Sequence, residues 1–254
     1  GWQADLYPTV RAGDHARGQQ DVISAGDVLI EAVGEGDRTA ERTLLEDGPA
    51  GERALLTFPA DPENTCSGER IVPTLDGWWF SRCQSVGGNV TVTFVSNDLT
   101  RVDRHWRAPV DRAAPQWVPF AGERPCGVLL AGDPATLELV AQPIGTNSAT
   151  GARILLRGHQ SDTALRAWSA VALSDDRYAV ILIEHTEPEI VQIFICGRDE
   201  PRRVELRLPQ EVLSITAASI DGKIGLFGVL EDEVFTTVCD ADTGECTTPR
   251  VLRE

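Results

Sequence analysis

The feature that most constrains this chain is a strand–turn–strand unit that keeps returning. PTLDGWWFSRC (73–83), ALSDDRYAVILI (172–183) and ASIDGKIGLFGV (218–229) share a small or apolar lead-in, an Asp-Gly or Asp-Asp turn, then a strand. ISAGDVLIEAV (23–33) and LLAGDPATLELV (129–140) are weaker copies. Their turn acids, Asp27, Asp76, Asp133, Asp176 and Asp221, recur about every 43 to 57 residues. A four-stranded propeller blade occupies roughly 40 to 50 residues, so the period points to stacked sheets.

The strands between these turns are short and rich in Val, Ile, Thr and Phe: NVTVTFVS (89–96), RYAVILIEH (177–185), EIVQIFIC (189–196), RRVELRLP (202–209), IGLFGVL (224–230) and EVFTTVC (233–239). Gly, Asp, Asn and Pro separate them, and several alternate apolar with polar residues, as half-buried antiparallel strands do. The one helical pattern, at 162–170, is short and uncapped. The chain is therefore expected to be all-β. Residues 170–209 read as one blade: SAVAL, RYAVILIEH, EIVQIFIC and RRVELRL. The last unit repeats the order as ITAAS, KIGLFGV, EVFTTVC and CTTPRVL. The expected fold is a β-propeller of about five four-stranded antiparallel blades, in one domain spanning 1–254. Residues 1–24 would supply a closing strand to the last blade. A sixth blade hidden in 38–59 or 107–124 and a β-sandwich are the alternatives.

Six cysteines, Cys66, Cys83, Cys126, Cys196, Cys239 and Cys246, have irregular spacing and no C-x-x-C. Zinc sites use close Cys/His pairs, and thiol–disulfide motifs use tighter spacing, so neither fits. Disulfides are expected, and with them a periplasmic or extracellular location. CDADTGEC places Cys239 and Cys246 on either side of a turn, on adjacent antiparallel strands where a bridge can form. Asp bonds its own backbone and Gly accepts positive φ, which makes DADTGE a turn first and a calcium loop last. Cys66 and Cys83 would tie the two strands around Asp76-Gly77, leaving Cys126 with Cys196 by elimination.

DADTGE resembles the D-x-x-T-G turn of bacterial propellers of the PQQ-like and WD40-like kinds, with SATG (148–151) a weaker copy. The likeness is architectural. The Gly-His and Trp-Asp dipeptides and a tryptophan-docking motif are missing, and no cofactor is carried over. Ser219-Ile220-Asp221-Gly222 departs from the sialidase Asp-box in the place of its glycine.

The net charge is −16, and Lys223 is the only lysine among 23 cations. Phosphate recognition needs clustered cations, so a nucleic-acid partner is not expected. The arginine bias is that of a GC-rich bacterial genome. No apolar run reaches the roughly 18 to 20 residues that span a bilayer. The sequence has no methionine, as expected of a processed or trimmed chain beginning at Gly1.

His15, His105, His159 and His185 stand far apart, and no G-x-S-x-G, Walker or Rossmann pattern occurs. The five turn acids could serve a glycoside hydrolase only if two converge, and an Asp in a tight turn serves its own backbone. Asn89-Val90-Thr91 is a glycosylation sequon. Trp78, Trp79, Trp106, Arg107 and Trp117 are the expected binding residues, because Trp and Arg dominate interface hot spots. The expected function is a non-catalytic recognition or scaffold subunit, exported, binding a protein partner in a larger assembly. A carbohydrate-binding propeller and a glycoside hydrolase are the alternatives.

Overall fold

A computed structural model describes residues 21–25, 28–33, 41–66, 68–74, 77–107, 115–120, 125–133, 138–145, 152–157, 165–174, 176–197, 199–231 and 233–252. The described residues contain strands and no helix. The described part of the pattern at 162–170, residues 165–170, is the start of a strand, because the tertiary neighbours of Leu165 and Ala170 are sheets on which an extended chain packs.

Among the described residues, twenty strands form five four-stranded antiparallel sheets, each a meander in chain order. The first holds β1 (Asp21–Ala25), β2 (Val28–Val33), β3 (Arg42–Gly48) and β4 (Gly51–Phe58). The second holds β5 (Glu69–Thr74), β6 (Gly77–Val86), β7 (Asn89–Ser96) and β8 (Arg101–Arg107). The third holds β9 (Gln116–Pro119), β10 (Gly127–Asp133), β11 (Glu138–Ile144) and β12 (Arg153–Arg157). The fourth holds β13 (Leu165–Ser174), β14 (Arg177–Glu184), β15 (Ile190–Cys196) and β16 (Arg202–Arg207). The fifth holds β17 (Ser214–Ile220), β18 (Lys223–Val229), β19 (Val234–Cys239) and β20 (Arg250–Leu252). Five such sheets are the set of a propeller of about five blades. The described residues of the proposed sixth-blade stretches fall in or beside β3, β4, β8 and β9; residues 38–40, 108–114 and 121–124 lie outside the described residues. The closing strand falls on residues 1–20, outside the described residues; residues 21–24 belong to β1.

Two compact units divide the chain, residues 1–106 and 107–254. In the first, Leu44 and Phe58 of the first sheet pack on Ile71, Trp78, Phe80 and Val95 of the second. In the second, the fourth sheet is apolar on both faces. Ala179, Ile181, Ile183, Val191, Ile193 and Ile195 meet Ile215, Leu226 and Phe235 of the fifth sheet. Tyr178, Val180, Leu182 and Phe194 meet Val128, Leu130 and Leu139 of the third. Full burial of each large aliphatic side chain contributes roughly 1.5–3 kcal/mol, which explains why β14 and β15 read as near-continuous apolar runs.

Tight turns set the register. Asp221 (φ 50°) and Gly222 (φ 74°) form a two-residue turn that pairs Ile220 with Lys223. Both central residues in the left-handed region match the twist of the flanking strands, which is why Asp-Gly is favoured there. Gly87 (φ 57°) and Gly88 (φ 79°) do the same between Val86 and Asn89.

The weak copy at 129–140 is out of phase. Asp133 ends β10 and precedes the second-to-third-strand connection of its sheet, whereas Asp176 and Asp221 lie between first and second strands. The sheet's first strand is the four-residue QWVP of β9, too short to announce itself by alternation. Asp27, Asp76 and SATG lie outside the described residues.

Disulfides join Cys66 to Cys83 and Cys239 to Cys246, with Cα atoms 5.7 and 4.0 Å apart. The expected Cys126–Cys196 bond is absent: both are buried thiols of the core between the third and fourth sheets. Elimination failed there because a buried thiol packs as a small apolar group and needs no second sulfur.

Candidate functional site

Of the expected binding residues, Trp78, Trp79 and Trp117 are only 5, 3 and 2% exposed. Trp78 packs between the first two sheets, and Trp79 lies 5.7 Å from the Phe94 ring on the opposite face of β6. Adjacent strand residues point to opposite faces, and here both faces are buried, so these three tryptophans do core work. Trp106 is half-buried at the end of β8, and Arg107 ends the same strand. The structure does not bring the five together as one exposed patch.

The second sheet builds a different cluster. Its register places Phe80 opposite Val95, Arg82 opposite Thr93 and Gln84 opposite Thr91. One face therefore runs from apolar (Ile71, Trp78, Phe80, Val95) to polar (Arg82, Gln84, Thr91, Thr93). On the outer strand, Asp103 and His105 continue the polar end. Thr93 Oγ1 donates to Asp103 Oδ1 at 2.7 Å, and Arg101 Nε donates to the same oxygen at 3.1 Å. Arg101 Nη2 reaches Thr93 Oγ1 at 3.4 Å. Thr91 Oγ1 and His105 Nδ1 are 3.0 Å apart. Deeper in, the buried Arg82 guanidinium lies 5.6 Å over the Phe58 ring, and Gln84 Nε2 donates to Asp61 Oδ2 at 3.4 Å.

Burial raises the pKa of the Asp103 carboxyl, but the bonds from Thr93 and Arg101 outweigh it and hold the group below the usual carboxylate value. Asp103 is thus an anion held in place, with Arg101 and His105 open to solvent beside it. The scaffold beneath is stiff. Asn64 Oδ1 accepts from the amides of Cys66 at 3.0 Å and Ser85 at 2.8 Å, and the Cys66–Cys83 bond fixes the same loop to β6. The exposed Arg101 guanidinium, Asp103 carboxylate and His105 imidazole, with the half-buried Thr91 hydroxyl, can hydrogen-bond a polar ligand from several directions, while Thr93, only 3% exposed, holds Asp103 from within the sheet.

Sequence reasoning weighed His105 singly and missed its neighbours. The signal was present: T-V-T in β7 and R-V-D-R-H in β8 alternate polar residues on one face. What was absent was the strand register that pairs them.

The described turn acids do not converge. Asp176 accepts from Ser174 Oγ at 3.1 Å, and Asp221 occupies a separate turn. Among the described residues no group of three His, Cys, Asp or Glu could hold a metal ion. No described helix is long and apolar enough to cross a membrane.

No family model matches the chain, and no curated protein matches it. Solved structures do. A functionally unknown protein from Desulfotomaculum acetoxidans DSM 771 is 10% identical with a TM-score of 0.53, covering 94% of this chain and 70% of that one. The fucose-specific lectin from Aleuria aurantia is 8% identical with a TM-score of 0.53, covering 92% and 78%. A mutant of that lectin in complex with alpha-methyl-L-fucoside is 8% identical with a TM-score of 0.54, covering 92% and 77%. The fold is that of a propeller. At these identities the likeness reaches the fold and stops there.

Proposed function

We propose that the protein is an exported, non-catalytic recognition module that binds a protein partner through the polar end of the second sheet. The observation that carries the reading is the exposed Arg101–Asp103 pair with His105 beside it, anchored by the buried Thr93 hydroxyl, on strands fixed from behind by a disulfide. Trp106, half-buried at the end of the same strand, extends the contact. Preformed polar groups on a rigid sheet lose little entropy on binding, which favours recognition. Two disulfides support export, since such bonds persist in oxidising compartments.

The test uses the oxidised chain as bait against the envelope and medium fractions of the source cell, beside an Arg101→Ala/Asp103→Ala variant with unchanged circular dichroism. A stoichiometric partner retained by the parent and lost at least tenfold by the variant supports the reading. Equal retention by both sinks it.

A carbohydrate ligand is the second reading. It is favoured by the fold shared with a fucose-specific lectin and by the hydroxyl, carboxylate and guanidinium groups of the cluster, which suit a polyol. A glycan array with the same two proteins decides it: glycan binding lost in the variant, with no protein captured, replaces the first reading.

A further inference from the structure

The two disulfides sit in opposite environments. Cys66 and Cys83 are both fully buried, and Asn64 and Thr65 lock their loop to β6 through Cys83 and Ser85. Cys239 is buried, but its partner Cys246 is partly exposed at the surface. Thiol–disulfide exchange requires a thiolate to reach one sulfur, so access separates the two bonds.

The Cys239–Cys246 bond is also placed where its loss has a direction. Upstream of Cys246 the turn is held by the fourth sheet. Arg177 Nη1 donates to Asp242 Oδ1 at 2.7 Å and its Nη2 to the Ala241 carbonyl at 3.0 Å. Arg202 donates to the carbonyls of Asp242 and Thr243. Downstream, β20 has three residues, paired only through Val234–Leu252, Phe235–Val251 and Thr236–Arg250. Thr247 adds bonds to Val238 and Thr237, and Val251 alone of the three packs against the core.

We propose that Cys239–Cys246 is a reducible clasp at the start of the segment leading to β20, the last described strand of the fifth sheet, while Cys66–Cys83 is a permanent staple. A dithiol reductant supplies the electrons. Its thiolate attacks Cys246 Sγ and forms a mixed disulfide. The Cys239 sulfur leaves as a thiolate and takes up a proton. The second reductant thiol then displaces Cys246, leaving two protein thiols and a cyclic disulfide. Opening the clasp frees residues 247–252 and bares the outer edge of β19, a row of backbone donors and acceptors ready to pair with another strand. This goes beyond the recognition reading and does not depend on it.

The experiment is graded reduction of the folded chain with dithiothreitol, pulse alkylation with N-ethylmaleimide, and peptide mass spectrometry, with amide hydrogen exchange in parallel. Cys126 and Cys196 report global unfolding, because they are buried and burial pushes the Cys196 thiol up to about 12. Cys239 and Cys246 are expected to label at least tenfold faster than Cys66, Cys83, Cys126 and Cys196. The amides of Thr247 and Val251 should then exchange at least tenfold faster while those of β14 and β15 stay protected. Labelling of all six cysteines at one rate overturns the proposal, since global unfolding would be the gate. So does selective reduction with unchanged exchange in 247–252. A Cys239→Ser/Cys246→Ser variant should show the fast exchange without reductant. If it fails to fold, the graded reduction still decides.

Discussion

Asp240 shows how much one side chain can settle. Its Oδ1 accepts from the amides of Asp242 at 2.9 Å and Thr243 at 2.8 Å, while its own carbonyl accepts from Gly244 at 2.8 Å. This geometry is why DADTGE is a turn. It was legible because Asp, Thr and Gly at those spacings can satisfy the backbone locally. The bonds from the Thr243 and Asp242 amides hold the carboxyl below its ordinary value of 3.8. A carboxylate with a depressed folded pKa stabilises the fold above its unfolded pKa, and that contribution is lost as pH falls through the lower folded value. The Thr243 amide proton resonance should therefore titrate with a midpoint below 3.8. In Asp240→Asn the acid step should vanish; an unchanged step would show that another group is titrating. Cys126 and Cys196 were illegible for the opposite reason. Nothing in a linear spacing separates a thiol that packs beside Tyr178 and Phe194 from one that bridges.

At the scale of the element, glycines in one hairpin have different jobs. Gly222 holds φ 74° in the turn, with open space where a Cβ would lie. Gly228, in β18, has the Phe235 ring of β19 where its Cβ would lie. Gly222→Ala should cost about 1–2 kcal/mol of left-handed strain, and Gly222→Asn less. Gly228→Ala should cost about 1–3 kcal/mol by overpacking, with no rescue by Asn. Urea unfolding of the four variants, Ala and Asn at each position, checks this; equal costs at both positions for Ala and Asn would remove the distinction. The turn glycine was readable from Asp-Gly, whereas the packing glycine needed the ring above it. The fourth and fifth sheets are legible strand by strand because β13 to β16 and β17 to β19 each hold at least six residues. The third was misphased because β9 is brief. A recurring arginine was also hidden. Arg153 opens β12 and donates to the Gly197 carbonyl of the next sheet at 2.8 Å, as Arg202 opening β16 does to the turn beyond it. Their equivalence appears only once the sheets are aligned.

Over the whole molecule the charge balance sets a term that no single contact reveals. Acidic residues number 39 against 23 Lys and Arg, leaving −16. The described ion pairs lie at the surface, such as Arg53–Glu46 at 2.9 Å and Arg207–Glu189 at 3.1 Å. Exposed pairs of this kind contribute only about 0–1 kcal/mol each, and salt weakens them. Net self-repulsion acts in the other direction: salt relieves it, because the screening length falls from about 30 Å at 0.01 M to about 8 Å at 0.15 M. With so large an excess of one sign, repulsion should win. Raising sodium chloride from 10 to 150 mM is expected to stabilise the fold by about 1 kcal/mol, a rise in Tm of about 2–4 °C for a chain of this size. Differential scanning calorimetry on the oxidised protein reads this directly. A fall in Tm over the same range would mean that local pairs, including the arginine contacts between sheets, outweigh the global field. The same field bears on recognition: a partner drawn to so acidic a chain should associate more slowly as salt rises, even while the chain itself becomes more stable.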